Sequence, residues 1–179
     1  PDPEPSAPHQ HRSSRLQREP WRPLAAFSLP SEPGNERRAI QRVLDAVRPL
    51  GLSQSQTDRL ATAVGEATMN ALEHGNHYRP DLNVDVQILT RQENGEQDLM
   101  VRITDQGSGP PAATAPNGPV AAPPPPDLAA KLAGSQPPRG WGLFLIHSMV
   151  DRVNVVRGEG HYSLELILHG RETDGQPSS

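Results

Sequence analysis

The segment GEATMNALEHGN, residues 65–76, combines the apolar pattern of a buried helix with two polar side chains on one side of that helix. Apolar residues recur at positions 60, 64, 67 and 71, a spacing that predicts an amphipathic helix. Glu66 and Asn70 are four residues apart, so both project beside this apolar stripe. A carboxylate next to a carboxamide could orient a water molecule and hold a hard cation such as Mg²⁺, which prefers oxygen ligands. A solvated helix face is the alternative interpretation, because Glu and Asn are common on such faces.

Outward from this helix, the hydrophobic pattern predicts further helices and strands. Ser53 or Ser55 caps the helix, which runs to about His74. We expect another helix before it, at 35–47, and a third late in the chain, at 142–150. The predicted strands share alternating or mainly apolar residues; they are 21–29 at a sheet edge, 84–89, 98–104, and a hairpin of 152–157 and 161–168. This order predicts an α+β fold, a two-layer α/β sandwich with a mixed, mainly antiparallel sheet and helices on one face.

A single ordered domain is predicted between two tails of low apolar content. Residues 1–20 and 170–179 contain too few apolar side chains to offset the entropy of ordering, so both are expected to be disordered. Residues 21–169 form the domain, interrupted by the stretch 110–138, which contains ten prolines. Proline lacks an N–H group and fixes φ, so this stretch is neither a central strand nor a helix interior. We expect a long functional or disordered loop; a linker between two domains is the alternative.

Composition excludes several classes of protein. The chain of 179 residues has a formal net charge of −4, which gives no support for a protein that binds nucleic acid or a membrane surface. It contains no Cys, which excludes a disulfide framework, a thiolate metal site and a Cys nucleophile. No apolar run is long enough to cross a bilayer and no signal peptide opens the chain, so we expect a cytoplasmic location.

A predicted strand ends at Asp105, and Gly107 and Gly109 follow it. Glycine allows the backbone to approach a ligand closely. An Asp at a strand end could accept a hydrogen bond from an amine donor, such as the amino group of adenine. An ordinary turn without a ligand is the alternative interpretation.

A third polar segment precedes the last predicted helix. Arg139 and Gly140 stand before it, and Gly142 lies in its first turn. The free N–H groups and the dipole of a helix N-terminus attract phosphate, and an arginine would add a cation beside them. The alternative is a glycine-rich junction with no ligand, because Gly-x-Gly alone is a weak signal.

The order of these three segments resembles the GHKL ATPase superfamily, which includes gyrase, MutL and histidine kinases and shares the Bergerat ATP-binding fold. The segments look like its N, G1 and G2 boxes, and the resemblance covers roughly 21–169. The phrase EATMNALEHGN at 66–76 is similar to the anti-sigma factor serine/threonine kinases of the RsbW and SpoIIAB type. The stretch 110–138 would then be the ATP lid of a histidine kinase-like ATPase domain, longer and richer in proline than is usual in this branch.

The resemblance implies a role for each candidate site residue. Glu66 would act as the general base, and Asn70 would coordinate the Mg²⁺ that bridges the phosphates of ATP. Asp105 would recognise adenine. The other implied nucleotide-binding residues belong to the lid, the phosphate turn and the last strand; they are Gly107, Gly109, Arg139, Gly140, Gly142 and Ser163. His74 either caps the helix end or touches a phosphate.

Three hypotheses for function remain open. The first is an ATP-dependent serine/threonine kinase that phosphorylates an antagonist protein and also binds a sigma factor. The second is a module that sequesters a partner in a nucleotide-dependent way with little phosphoryl transfer. The third is a detached output domain of a bacterial signalling protein. The resemblance implies ATP and Mg²⁺ as cofactors, and a homodimer is compatible with it.

Overall fold

The computed structural model describes residues 19–93, 95–107, 117–123 and 141–170. Nearly all of the predicted tails and most of the Pro-rich stretch lie outside these residues. In the part of the chain that is described, no helix is both long enough and apolar enough to cross a membrane.

Three α-helices and six strands make up the described fold. The helices are α1 (Asn35–Val47), α2 (Gln54–Asn70) and α3 (Trp141–Met149). The strands are β1 (Arg22–Pro30), β2 (Asn83–Glu93), β3 (Glu96–Asp105), β4 (Gly118–Pro119), β5 (Arg152–Gly158) and β6 (His161–Leu168). The predictions for α1, α3 and the last hairpin agree with these bounds to within a residue, whereas β2 and β3 are longer than predicted.

The strands form one open sheet in the order β1-β2-β3-β6-β5-β4, and every pairing between them is antiparallel. β1 lies at an edge, as predicted. One face of the sheet, which we call the helical face, carries buried side chains such as Val86, Val101 and Leu166, and these share one core with apolar residues of all three helices. The opposite, open face carries Arg102 and Glu165, which are hydrogen-bonded to each other. The two-layer α+β sandwich is therefore confirmed.

Local sequence explains where α2 begins and how it ends. Ser53 Oγ accepts a hydrogen bond from the N–H of Gln56 (3.1 Å), and the Gln56 side chain accepts one from the N–H of Ser53 (3.0 Å), which forms a capping box. The sequence predicted one continuous helix to about His74, but α2 ends at Asn70 and a wider π-helical turn, Ala71–Gly75, follows. Such turns often occur at functional sites.

The Pro-rich stretch contributes a strand that the sequence did not predict. β4 pairs with the middle of β5 at the edge of the sheet, where proline is tolerated because one side of the strand needs no donors. Next to it, the N–H of Val120 donates to the carbonyl of Val153 (2.9 Å). Residues 118–120 are thus attached to the sheet.

Candidate functional site

α2 and α3 run in opposite directions on the helical face. Nε of Arg59, early in α2, donates to the carbonyl of Met149 at the end of α3 (3.0 Å). At the other end, Gly142 in the first turn of α3 lies against Glu66 and Asn70 in the last turns of α2. The end of α2 and the start of α3 therefore meet, and they bring two of the predicted segments together.

This close contact favours a glycine. A Cβ atom on Gly142 would lie 3.1 Å from Glu66 Oε2 and 3.4 Å from both polar atoms of the Asn70 side chain. Glu66 and Asn70 are themselves half-buried. The missing side chain of Gly142 therefore lets the start of α3 approach a carboxylate and a carboxamide that both remain partly accessible.

Asp105, the last residue of β3, is packed against the π-helical turn that follows α2. It is only 5% exposed, and a Cβ atom on Gly75 would overlap its carboxyl carbon. A Cβ atom on Gly107 would lie 2.6 Å from the carbonyl oxygen of Gly75. The two glycines therefore allow the end of β3 to approach the end of the helix closely, and the N–H of Gly107 donates to Asp105 Oδ1 (2.8 Å).

Burial has a direct electrostatic consequence for Asp105. It raises the pKa of the carboxyl group to about 6, although the hydrogen bond from Gly107 and the nearby His77 act in the opposite direction. A buried carboxylate with few donors around it is poorly solvated. A ligand that donates a hydrogen bond, such as the amino group of adenine, would replace part of this lost solvation.

Asn76 is a structural part of the site that the sequence analysis did not assign. Its side chain is buried; Nδ2 donates to Ser31 Oγ (2.8 Å) and to the carbonyl of Asn83 (3.0 Å), and Oδ1 accepts from the N–H of Gln106 (2.8 Å). One side chain thus joins the end of β1, the start of β2 and the residue that follows Asp105. In the sequence, only the position of Asn76 next to Gly75 indicated this structural role.

The structure does not place Ser163 beside Asp105, which corrects its implied role in an adenine pocket. Ser163 shares a hydrogen bond of 2.7 Å with Thr104 on the open face, whereas Asp105 packs on the helical side. Tyr162 is the residue of β6 that pairs with Asp105. A shift of one residue along a strand moves a side chain to the opposite face. The register of β6 against β3 therefore decides which of these two residues lies beside Asp105.

The remaining predicted residues do not belong to the described site. Gly109, Arg139 and Gly140 lie outside the described residues. His74 is exposed, with Nε2 4.0 Å from Glu73 Oε1. The described site therefore consists of Glu66, Asn70, Gly142, Gly75, Asp105, Gly107 and Tyr162.

The fit of this site to Mg²⁺ depends on Asn70. Within the described ranges, no group of three or more His, Asp or Glu side chains lies close enough to hold a metal ion. A cation there would take few ligands from these residues and the rest from phosphate and water, which is usual for Mg²⁺. Asn70, which is partly accessible beside Gly142, carries the carboxamide oxygen that such an ion would use.

Comparisons with known proteins point in the same direction as this geometry. Residues 29–168 match the family described as "Histidine kinase-like ATPase domain". Among solved structures, the fold is similar to the crystal structure of the RsbU and RsbW domains of Rv1364c from Mycobacterium tuberculosis, with a TM-score of 0.50 and 14% identity. This match covers 83% of the present chain but 33% of that chain, and at such identity it shows the fold alone. Among curated proteins, none is significantly similar to the sequence.

Proposed function

The chain belongs to the family of histidine kinase-like ATPase domains, and from this premise we propose that it is an ATP-dependent protein serine/threonine kinase of the anti-sigma factor type. Its substrate would be a hydroxyl group of an antagonist protein, and it would also bind a sigma factor. The observation that carries the proposal is the close contact of Gly142 with Glu66 and Asn70. It sets a candidate base beside a candidate metal ligand at the start of a helix. The similarity in fold to a structure that contains an RsbW domain supports this branch of the family.

Glu66 would serve as the base of the reaction. Its Oε2 would accept the proton of the attacking hydroxyl group while the hydroxyl oxygen bonds to the γ-phosphorus of ATP. The bond from that phosphorus to the β–γ bridging oxygen breaks, and ADP leaves with the electron pair. Phosphoryl transfer depends mainly on positioning and charge stabilisation, so few protein groups are needed.

Asn70 and Asp105 would hold the nucleotide at its two ends. Asn70 would provide one oxygen ligand to Mg²⁺, which when bound would neutralise charge on the phosphates. Asp105 would accept a hydrogen bond from the amino group of adenine. The N–H groups at the start of α3, which approach Asn70 through Gly142, would face the phosphates.

Phosphate transfer from labelled ATP to candidate antagonist proteins tests the proposal. Glu66→Gln removes the base but keeps the shape of the side chain, so it should slow transfer by ~10²–10⁴-fold while ADP still binds. Glu73→Gln is the matched control, because Glu73 is an exposed glutamate on the next turn of the same helical segment. Transfer at the wild-type rate by Glu66→Gln would refute Glu66 as the base.

The attachment of residues 117–120 to β5 favours a second candidate function. If this part of the Pro-rich lid stays on the sheet edge, the protein could hold a nucleotide and a partner without efficient transfer. A wild type that binds ATP and a partner but transfers no phosphate would identify this partner-sequestering module. A detached output domain, the third hypothesis, is compatible with the match to only 33% of the longer chain in the similar structure.

A further inference from the structure

A row of polar side chains crosses the helical face of the sheet beside Asp105. Asp105 of β3 pairs with Tyr162 of β6, and Tyr162 pairs with Arg157 of β5. Side chains of directly paired residues in antiparallel strands project to the same face. The next row of pairs toward the core is apolar and consists of Ile103, Leu164 and Val155. The polar row therefore borders the core at the end of the sheet that carries the candidate site.

Arg157 is the charged residue of this row that the proposed function does not use. Its Nε and Nη2 atoms are buried, and no residue in the described part of the chain accepts a hydrogen bond from them. Its Cζ lies 5.6 Å from the centre of the Tyr162 ring. Burying Nε and Nη2 of a guanidinium without acceptors is costly, because the N–H donors of these two atoms have lost their water. An arginine in this state is expected to have an acceptor when a ligand is present.

The backbone of Arg157 is held from the outer side of the sheet. Its N–H donates to Asn117 Oδ1 (2.8 Å), and its carbonyl accepts from Asn117 Nδ2 (3.4 Å). This arrangement replaces the missing strand neighbour at the edge of β5. The strand position from which the guanidinium extends is therefore well defined.

We propose that Arg157 is a nucleotide-binding residue whose buried N–H groups donate to ring nitrogens of the adenine base that Asp105 holds by its amino group. The inference rests on the proposed function, because it requires ATP at this site. Adjacent strands are ~4.8 Å apart, so the backbones of β3 and β5 are roughly 10 Å apart across Tyr162. Adenine presents an amino donor and ring-nitrogen acceptors on its edges. The Asp105 carboxylate at one end of the row is an acceptor for the amino group, and the Arg157 guanidinium at the other end is a donor to the ring nitrogens.

The position of Arg157 also separates it from the phosphate groups. Glu66, Asn70 and Gly142, which would face the phosphates, belong to the helices, whereas Arg157 shares its row with Asp105 in the sheet. Its contribution to binding should therefore depend on the base and not on the phosphate chain.

Calorimetric titration with ADP and with inorganic tripolyphosphate, both with Mg²⁺, tests this inference. Arg157→Met keeps a long stem but removes the donors, so affinity for ADP should fall by roughly 10- to 100-fold, as expected for lost hydrogen bonds to a charged group. Affinity for tripolyphosphate should stay unchanged. Arg157→Lys keeps the charge without the fork of donors and should lose most of the same affinity. Arg152→Met is the matched control, because Arg152 is exposed at the other end of the same strand.

The stability of the free protein separates binding from a structural role. Arg157→Met should melt at the wild-type temperature or above it, because the substitution removes a buried group that lacks acceptors. A lower melting temperature together with lost ADP binding would assign Arg157 a structural role and overturn the inference. ADP binding at wild-type affinity, or equal losses for ADP and tripolyphosphate, would also overturn it. Failure of the wild type to bind ADP at all would instead refute the proposed function, and the inference with it.

Discussion

At the scale of single residues, Asp105 couples binding to stability through its burial. Its pKa is about 6 in the folded chain, above the ordinary value of 3.8. The stability contributed by a group with a raised pKa is fully present below the unfolded-state pKa and is lost as the pH rises through the folded-state pKa. We therefore expect ionisation of Asp105 to lower the free energy of unfolding of the nucleotide-free protein by up to about 3 kcal/mol at neutral pH. Asp105→Asn should raise the melting temperature there by several degrees while it weakens ATP binding.

Thermal unfolding at neutral pH and near pH 4, which is about the unfolded-state pKa, tests this expectation. The difference between wild type and Asp105→Asn should be small in acid and large at neutral pH. Asp81→Asn is a suitable control, because Asp81 is fully exposed and a hydrogen bond from Arg79 lowers its pKa. Identical melting temperatures for wild type and Asp105→Asn at neutral pH would contradict the prediction.

Gly75 determines where the Asp105 carboxyl group can lie. Gly75→Ala would place a methyl group on the carboxyl carbon of Asp105, so the end of β3 must move away from the helix. We expect ADP affinity to fall by about tenfold or more, because a displaced carboxylate no longer meets the adenine amino group. Gly65→Ala is the control, because its Cβ would meet only the flexible end of Ile40 on α1. Equal ADP affinities for wild type and Gly75→Ala, measured by calorimetry, would show that the close packing of Gly75 against Asp105 is not needed for ADP binding.

At the scale of elements, the π-helical turn after α2 explains how Gly75 and Asn76 reach β3. The N–H of Asn76 donates to the carbonyl of Ala71 (2.8 Å), five residues back, which closes the wide turn. Asn76 then anchors the N–H of Gln106 (2.8 Å), next to Asp105. The helix end and the strand end are therefore joined by side-chain hydrogen bonds, and the position of Asp105 depends on both elements.

The attachment of the Pro-rich stretch to β5 can be tested by hydrogen exchange. Asn117→Ala removes the acceptor of the Arg157 N–H, so exchange at that amide should become about tenfold faster, in line with the loss of one hydrogen bond. The amide of Val120, which donates to Val153, should stay protected if β4 remains in place. The amide of Leu164, inside β6, is the internal reference. Unchanged exchange at Arg157 would show that Asn117 does not hold this edge.

At the scale of the whole molecule, nucleotide binding should stabilise the fold. A ligand that binds only the native state adds about 2.7 kcal/mol at 100-fold above its Kd. For a chain of this size, we expect ADP with Mg²⁺ to raise the melting temperature by roughly 5–10 °C. Mg²⁺ alone is the control. A thermal scan without a shift at saturating nucleotide would refute ATP binding, and with it every function proposed for this chain.

Much of the architecture could be predicted from local pattern. The apolar spacing along 35–47 and the recurrence of Leu99, Val101 and Ile103 at every second position identified α1 and β3, because neighbouring residues alone set these periods. The same reasoning placed Glu66 and Asn70 on one side of α2. The order of the three polar segments indicated the GHKL superfamily, which the family match confirms.

The sequence by itself determined the helices, most strands, the family and the shared side of Glu66 and Asn70, since these depend on residues close together in the chain. Only the tertiary structure decided that Gly75 packs against Asp105, that Tyr162 and not Ser163 stands beside it, and that residues 118–120 join the sheet. These facts depend on the register between strands far apart in sequence, and one residue of shift reverses every side chain. A local pattern carries no information about such pairings, because they are set by the packing of the complete sheet against its helices.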